Sequence, residues 1–287
     1  MKKTNLLCLA VVFISLNLLF SCTKDDNPVV AHPFAEIKGD ATFHGNFKSD
    51  IVVVNTQGGP ETKLDDESLK ETIEATKTSS ALYVNVHQTQ TSEPHLFTKT
   101  DITFSNAKKY DERSVARLKK VIDYFKKKKK KVYVLGISFG AFMTQELIAD
   151  YGIDSADGYL IIAGRLDIDE DTWKPFSEGK RTTYVYDQNG GYTINISKDN
   201  LSTQDRNMNR LAAGLGFNRY TERLKDEKDL SKITYIYGTH DDEVGPLSKE
   251  EIKFLEDRNV GIGKNQGANH QNAIQAGLTI LKSAFRI

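Results

Sequence analysis

The sequence predicts an α/β domain, a mostly parallel central sheet with helices on both faces and an inserted lid or cap. Three observations predict it. Short, near-continuous apolar runs rich in β-branched residues recur along the chain, the mark of strands buried on both faces. Between them lie longer stretches with apolar residues at helical spacing, as in Val115, Leu118, Val121, Ile122 and Phe125. The 287 residues, 39% hydrophobic and 27% charged, are ordinary globular material and long enough for a single α/β unit.

Asp50-Ile51-Val52-Val53-Val54-Asn55 reads as the first strand, followed by a turn at Gly58-Gly59-Pro60 and a helix from about Leu64 to Lys77. Ala81 to Val86 is the second strand. A long polar connection leads to a helix ending in the lysine block Lys126 to Lys131, where cations complement the helix dipole and the flanking loop is solvated. Strand Val132 to Leu135, helix Phe139 to Ala149 and strand Gly158 to Ala163 continue the alternation.

Residues 165–231 break the rhythm. Within this polar stretch, Arg181 to Tyr186 and Tyr192 to Ile196 flank Gln188-Asn189-Gly190-Gly191, a β-hairpin around an Asn-Gly turn, and a helix follows from Asp205 to Leu215. Strand Ile233 to Tyr237, a helix near Lys249 to Asp257, a weak strand near Val260 to Ile262 and a closing helix from Gln271 to Phe285 restore the alternation. The insertion is expected over the C-terminal edge of the sheet, where open α/β sheets bind ligands.

One segment carries chemistry. Gly136-Ile137-Ser138-Phe139-Gly140 is a GxSxG pattern, weak alone, but here it follows an apolar strand and opens a helix, the placement a nucleophile elbow requires. Its flanking positions must be small, and Gly136, Gly140 and Ala141 are. A serine attacks only when a base takes its proton, and that base needs an orienting carboxylate. Strand Ile233 to Tyr237 runs into Gly238-Thr239-His240-Asp241-Asp242-Glu243-Val244, which resembles the GxxDxxV loop carrying the acid of the α/β-hydrolase superfamily and registers Asp241. His270, in Gly267-Ala268-Asn269-His270, precedes the closing helix, where that family keeps its base. Over roughly residues 40–287, the insertion excepted, the chain resembles this superfamily.

The resemblance implies acyl transfer by Ser138, His270 and Asp241, with no cofactor and no metal. Asn55-Thr56-Gln57-Gly58-Gly59-Pro60 resembles the HGGP-type loop, which implies an oxyanion hole from Gly58 or Gly59 with Phe139; Gln57 stands where that motif usually carries histidine. Other readings stay open. Gly58-Gly59-Pro60 is also a plain turn signal. Asp242 and Asp167 are alternative acids. His240 with Asp241, Asp242 and Glu243 suggests a metal cluster, although consecutive residues on a short loop rarely converge on one ion. His87 and His95 are structural or substrate-facing, and Tyr184, Tyr186 and Tyr192 either line a binding surface or pack the hairpin.

The first residues form a separate segment. Lys2 and Lys3 precede an apolar run from Leu6 to Phe20, too short to span a bilayer and laid out as a signal peptide over residues 1–21. Leu19-Phe20-Ser21-Cys22 resembles the lipobox of bacterial lipoproteins, which implies lipidation of Cys22, a tether over 22–33 and a domain over 34–287. The other openings are an ordinary signal peptide cut nearby or an uncleaved anchor. Thr23-Lys24-Asp25-Asp26 is similar to the surface-export signal of some Gram-negative lipoproteins, so the expected location is the cell envelope, as an outer-membrane lipoprotein open to surface display. Cys8 and Cys22 are the only cysteines, so loss of one and acylation of the other leave no thiol for cysteine chemistry. Basic and acidic residues balance at 39 each, and nothing in the sequence forms a nucleic-acid footprint. The expected partners are a small ester or peptide substrate and the membrane that holds the lipid. A carboxylic ester is the default substrate, a peptide or amide the alternative, and a non-catalytic binding lipoprotein the reading from a different class.

Overall fold

The computed structural model describes residues 33–197 and 199–287. The chain divides into Met1–Ala35 and Glu36–Ile287, and every element below belongs to the second unit. The expected signal segment, Cys22 and the expected tether up to residue 32 lie outside the described residues.

In chain order the elements are β1 (Ala41–Gly45), β2 (Ile51–Thr56), α1 (Asp66–Thr76), β3 (Leu82–Val86), the short α2 (Thr89–Ser92) and α3 (His95–Thr98), and α4 (Phe104–Lys127). Then come β4 (Lys131–Ile137), α5 (Phe139–Tyr151), β5 (Gly158–Ile162), α6 (Glu170–Ser177), the hairpin β6 (Thr182–Tyr186) and β7 (Tyr192–Ile196), α7 (Thr203–Gly216) and α8 (Tyr220–Arg223). The chain closes with β8 (Ile233–Gly238), α9 (Lys249–Glu256), β9 (Gly261–Asn265), α10 (His270–Thr279) and α11 (Leu281–Phe285).

Seven strands form one sheet in the order β1-β3-β2-β4-β5-β8-β9, parallel throughout except β1. The central runs earn that position: Val52, Val53, Val54, Val132, Val134 and Leu160 are buried to the last atom. One face is covered by α1, α10 and α11, whose Leu69, Ile73, Ala273, Leu281 and Phe285 pack on Val53, Leu135 and Ile162. α4 and α5 take the opposite face. α4 begins where the Thr103 hydroxyl accepts the amide of Asn106 and buries Val115, Leu118, Val121, Ile122 and Phe125 along one stripe. α5 is buried from Phe139 to Ile148, so the helix that follows Ser138 is fixed on every side.

The lysine block closes α4 and enters β4, with Lys126 paired to Asp157 and Lys130 to Asp50. It lies at the N-terminal edge of the sheet.

Residues 165–231 contribute α6, the hairpin, α7 and α8. α7 starts in a capping box between Ser202 and Asp205, two residues before the expected helix. It is tied down by buried Asn207, whose Nδ2 donates to the carbonyls of Phe97 and Thr100 and whose Oδ1 accepts from the amide of Ile102. Three departures have physical causes. β1 has a half-exposed, polar pattern that hides an antiparallel edge strand. β9 extends to Asn265 through Gly261, Gly263 and Lys264, which carry little strand propensity. The closing helix divides at Ile280, which caps α10 and precedes α11.

Candidate active site

β4 delivers Ser138 to the C-terminal edge of the sheet, between two neighbours that contribute the rest of the site. Its backbone takes φ +53° and ψ −117°, a strained conformation for a residue with a side chain, held by the amide donating to the Ile162 carbonyl at 2.9 Å. The glycines around it are obligatory for space. A β-carbon at Gly136 would stand 2.3 Å from Thr144 Oγ1 and 2.6 Å from the Gly140 carbonyl oxygen.

His270 is the first residue of α10, oriented by the Asn269 cap and by its own amide donating to Asp242 Oδ1 at 3.1 Å. Its Nε2 lies 2.9 Å from Ser138 Oγ, and its Nδ1 lies 2.8 Å from Asp241 Oδ2. The other oxygen of Asp241 accepts the amides of Glu243 and Val244, each at 3.0 Å, so the carboxylate is fixed from both sides. All three side chains are buried. Burial by itself pushes the His270 pKa down, but the hydrogen bond and charge of Asp241, with Glu243 and Asp242 adding to them, outweigh it and leave the imidazole above its ordinary value. Glu243 Oε2 stands 3.6 Å from Nε2, on the serine side of the ring.

The glycine loop faces the same serine. A β-carbon at Gly58 would stand 3.3 Å from Ser138 Cβ and 3.9 Å from Oγ. Phe139 opens α5, so its amide is among those a helix N-terminus leaves without an intrahelical partner, and the dipole there favours negative charge. Gly59, Phe139 and Ser138 border a cavity of about 440 Å³, whose apolar wall comes from Phe142, Ile168, Trp173, Phe176 and Met208. Four of those five lie on α5, α6 or α7. Glu61 and Glu243 stand at its polar side.

The alternative acids go elsewhere. Asp242 accepts the His270 amide on Oδ1 and the Tyr184 amide on its carbonyl. Asp167 accepts from Arg219 Nη2 at 2.9 Å and from Thr221 Oγ1 at 2.5 Å, and its amide donates to Glu251. His240 packs against the Tyr186 ring at 4.8 Å. Among the described residues no three His, Cys, Asp or Glu side chains form a metal-holding group. His87 bonds Thr91, and His95 opens α3.

The hairpin tyrosines pack. Tyr184 is buried, with its hydroxyl among Thr172, Arg165 and Asp169, and Tyr192 donates to Asp169. Tyr186 donates to the Asp241 carbonyl at 2.8 Å, so the hairpin braces the loop that carries Asp241.

Sequence reasoning weighed Glu243 only as a metal ligand and overlooked the cavity wall. Trp173 and Phe176, one helical turn apart on α6 and including the chain's one tryptophan, were the available signal. It also left the role of Gln57 undefined. Gln57 Nε2 donates to the Lys63 carbonyl at 3.0 Å, and its Oε1 accepts the Asp65 amide at 2.7 Å.

Neither a protein-family model nor a curated protein matches the chain. Solved structures match it in fold. An α/β-hydrolase enzyme from a Medee basin deep-sea metagenome library superposes with a TM-score of 0.55 at 12% identity, over 86% of this chain and 94% of that one. A Thermus thermophilus protein matches at 0.52 and 12% identity, and the α/β hydrolase GrgF from Penicillium sp. sh18 at 0.52 and 13%, both over the same shares. With its mostly parallel sheet and flanking helices, the chain has the α/β-hydrolase fold.

Proposed function

We propose that the protein is a serine hydrolase that cleaves carboxylic esters through an acyl-enzyme on Ser138. The observation that carries this reading is the continuous relay from Ser138 Oγ through His270 to Asp241, with contacts of 2.9 and 2.8 Å. His270 Nε2 takes the hydroxyl proton as Oγ attacks the ester carbonyl, while Asp241 holds the proton on Nδ1 and stabilises the imidazolium. The Phe139 amide and an amide of the Gly58–Gly59 pair receive the oxyanion. The imidazolium then protonates the departing alcohol. Water, deprotonated by the same nitrogen, releases the acid and restores Ser138. The apolar wall of the cavity suits the acyl group.

The lipobox-like segment before Cys22 supports display of this activity on a membrane, with the lipid as anchor. Purified full-length protein should release p-nitrophenol from p-nitrophenyl esters with an initial burst that matches the enzyme concentration, and Ser138→Ala should abolish it. Equal turnover by Ser138→Ala contradicts the reading, and cleavage of aminoacyl anilides with no ester turnover replaces the ester by an amide.

A further inference from the structure

We propose that Gln57 is a positioning residue whose carboxamide clasps the loop 58–64 and holds the Gly58–Gly59 amides toward Ser138; the catalytic half of this rests on the hydrolase reading above. The loop leaves β2 at Thr56 and returns at Asp65, the residue that caps α1 by accepting the Ser68 amide at 3.0 Å. It contains two adjacent glycines, one of them at φ +121°, and so has little rigidity of its own.

Gln57 supplies that rigidity from three directions. Its Nε2 donates to Lys63 and its Oε1 accepts from Asp65, so one side chain joins the start of the loop to its end. Its own carbonyl accepts from Nε2 of fully buried Gln88 at 2.9 Å. The same carbonyl lies against Gly140, where a β-carbon would come within 2.8 Å of it. The residue is therefore fixed to α5 and to the segment after β3, and its side chain carries that fixity across the loop.

The bonding explains why a carboxamide stands at this position. One group must donate to a carbonyl and accept from an amide at the same time. Glutamate keeps the shape and the acceptor but loses the donor and sets a charge against the Lys63 carbonyl. Oxyanion donors act only when already aimed, and displacement of a supporting group by about 1 Å costs on the order of 100-fold in rate.

The test uses full-length protein with Gln57→Glu and Gln57→Ala. In a Ser138→Ala background, amide hydrogen exchange over residues 58–65 should quicken at least about tenfold in both variants while α4 and α5 keep their protection. With Ser138 present, kcat on a p-nitrophenyl ester should fall about 10- to 100-fold with KM within about threefold. In Gln57→Ala, which introduces no charge, the acidic limb of the pH profile should stay in place, because His270 and its partners are untouched. Unchanged exchange overturns the clasp. Faster exchange with unchanged kcat overturns the positioning role, and faster exchange with a displaced acidic limb assigns the effect to the relay instead. Absence of turnover in the unmutated protein overturns the hydrolase reading and the catalytic half with it, while the exchange result still decides the clasp.

Discussion

A β-carbon on Gly140 would stand 1.9 Å from the carbonyl oxygen of Thr56. The start of α5 after Ser138 is thus packed, main chain on main chain, against the strand end that feeds the glycine loop. Neither side has a flexible side chain that can yield. Gly140→Ala should therefore cost about 1–3 kcal/mol of stability by overpacking and lower ester turnover by displacing the loop. Urea denaturation measures the first, and an unchanged midpoint contradicts it.

The serine side of His270 faces Glu243 at 3.6 Å. Acyl transfer needs the neutral imidazole, so kcat/KM should rise with pH through the pKa of His270. That pKa is raised, against the downward pull of burial, by Asp241 and then Glu243 and Asp242, which places the acidic limb above the ordinary histidine value of about 6.5. Glu243→Gln removes one stabilising charge and should move the limb to lower pH. Glu243 is 54% exposed, so the shift should be small and should shrink in high salt. A shift to higher pH contradicts the assignment.

Asp111, on α4, is 1% exposed, both its carboxyl oxygens lack a hydrogen-bond partner among the described residues, and it faces Gly214 of α7. Desolvation first, and then the charges of Glu146 and Glu112, raise its pKa well above the ordinary value. The folded protein keeps this proton to higher pH than the unfolded chain, so the group reduces stability progressively as pH climbs above about 3.9. Asp111→Asn should melt several degrees higher at pH 7, with the gain disappearing near pH 3. An equal difference at all pH values contradicts the account.

Ala212 of α7 borders the cavity beside Ser138. Ala212→Trp should fill much of it and lower kcat/KM at least about tenfold for decanoyl esters while sparing acetyl esters. Equal loss on both would place the acyl chain elsewhere.

The strands, and the convergence of Ser138, His270 and Asp241, were legible in the sequence because each rests on local residues. Val52 to Val54 announce a buried strand, and GxSxG, the Asp241 loop and His270 each follow one. Asp241 was separable from Asp242 only by register with a known loop. The fold separates them by direction, one carboxylate toward Nδ1 and the other toward the α10 amide. What stayed hidden depends on contacts across the chain. Nothing near Asp167 announces that Arg219 and Thr221, more than fifty residues on, occupy its carboxylate. β1 was lost because its half-buried Thr42, Phe43 and His44 make no continuous apolar run, and the clasp of Gln57 because its partners lie six and eight residues further along the chain.

Reaction of full-length protein with a serine-directed fluorophosphonate tests the central claim most directly. The account predicts one label per chain, placed on Ser138 by mass spectrometry, absent in Ser138→Ala and slowed at least about 1,000-fold in His270→Ala. Label on another serine, or undiminished labelling of His270→Ala, contradicts it.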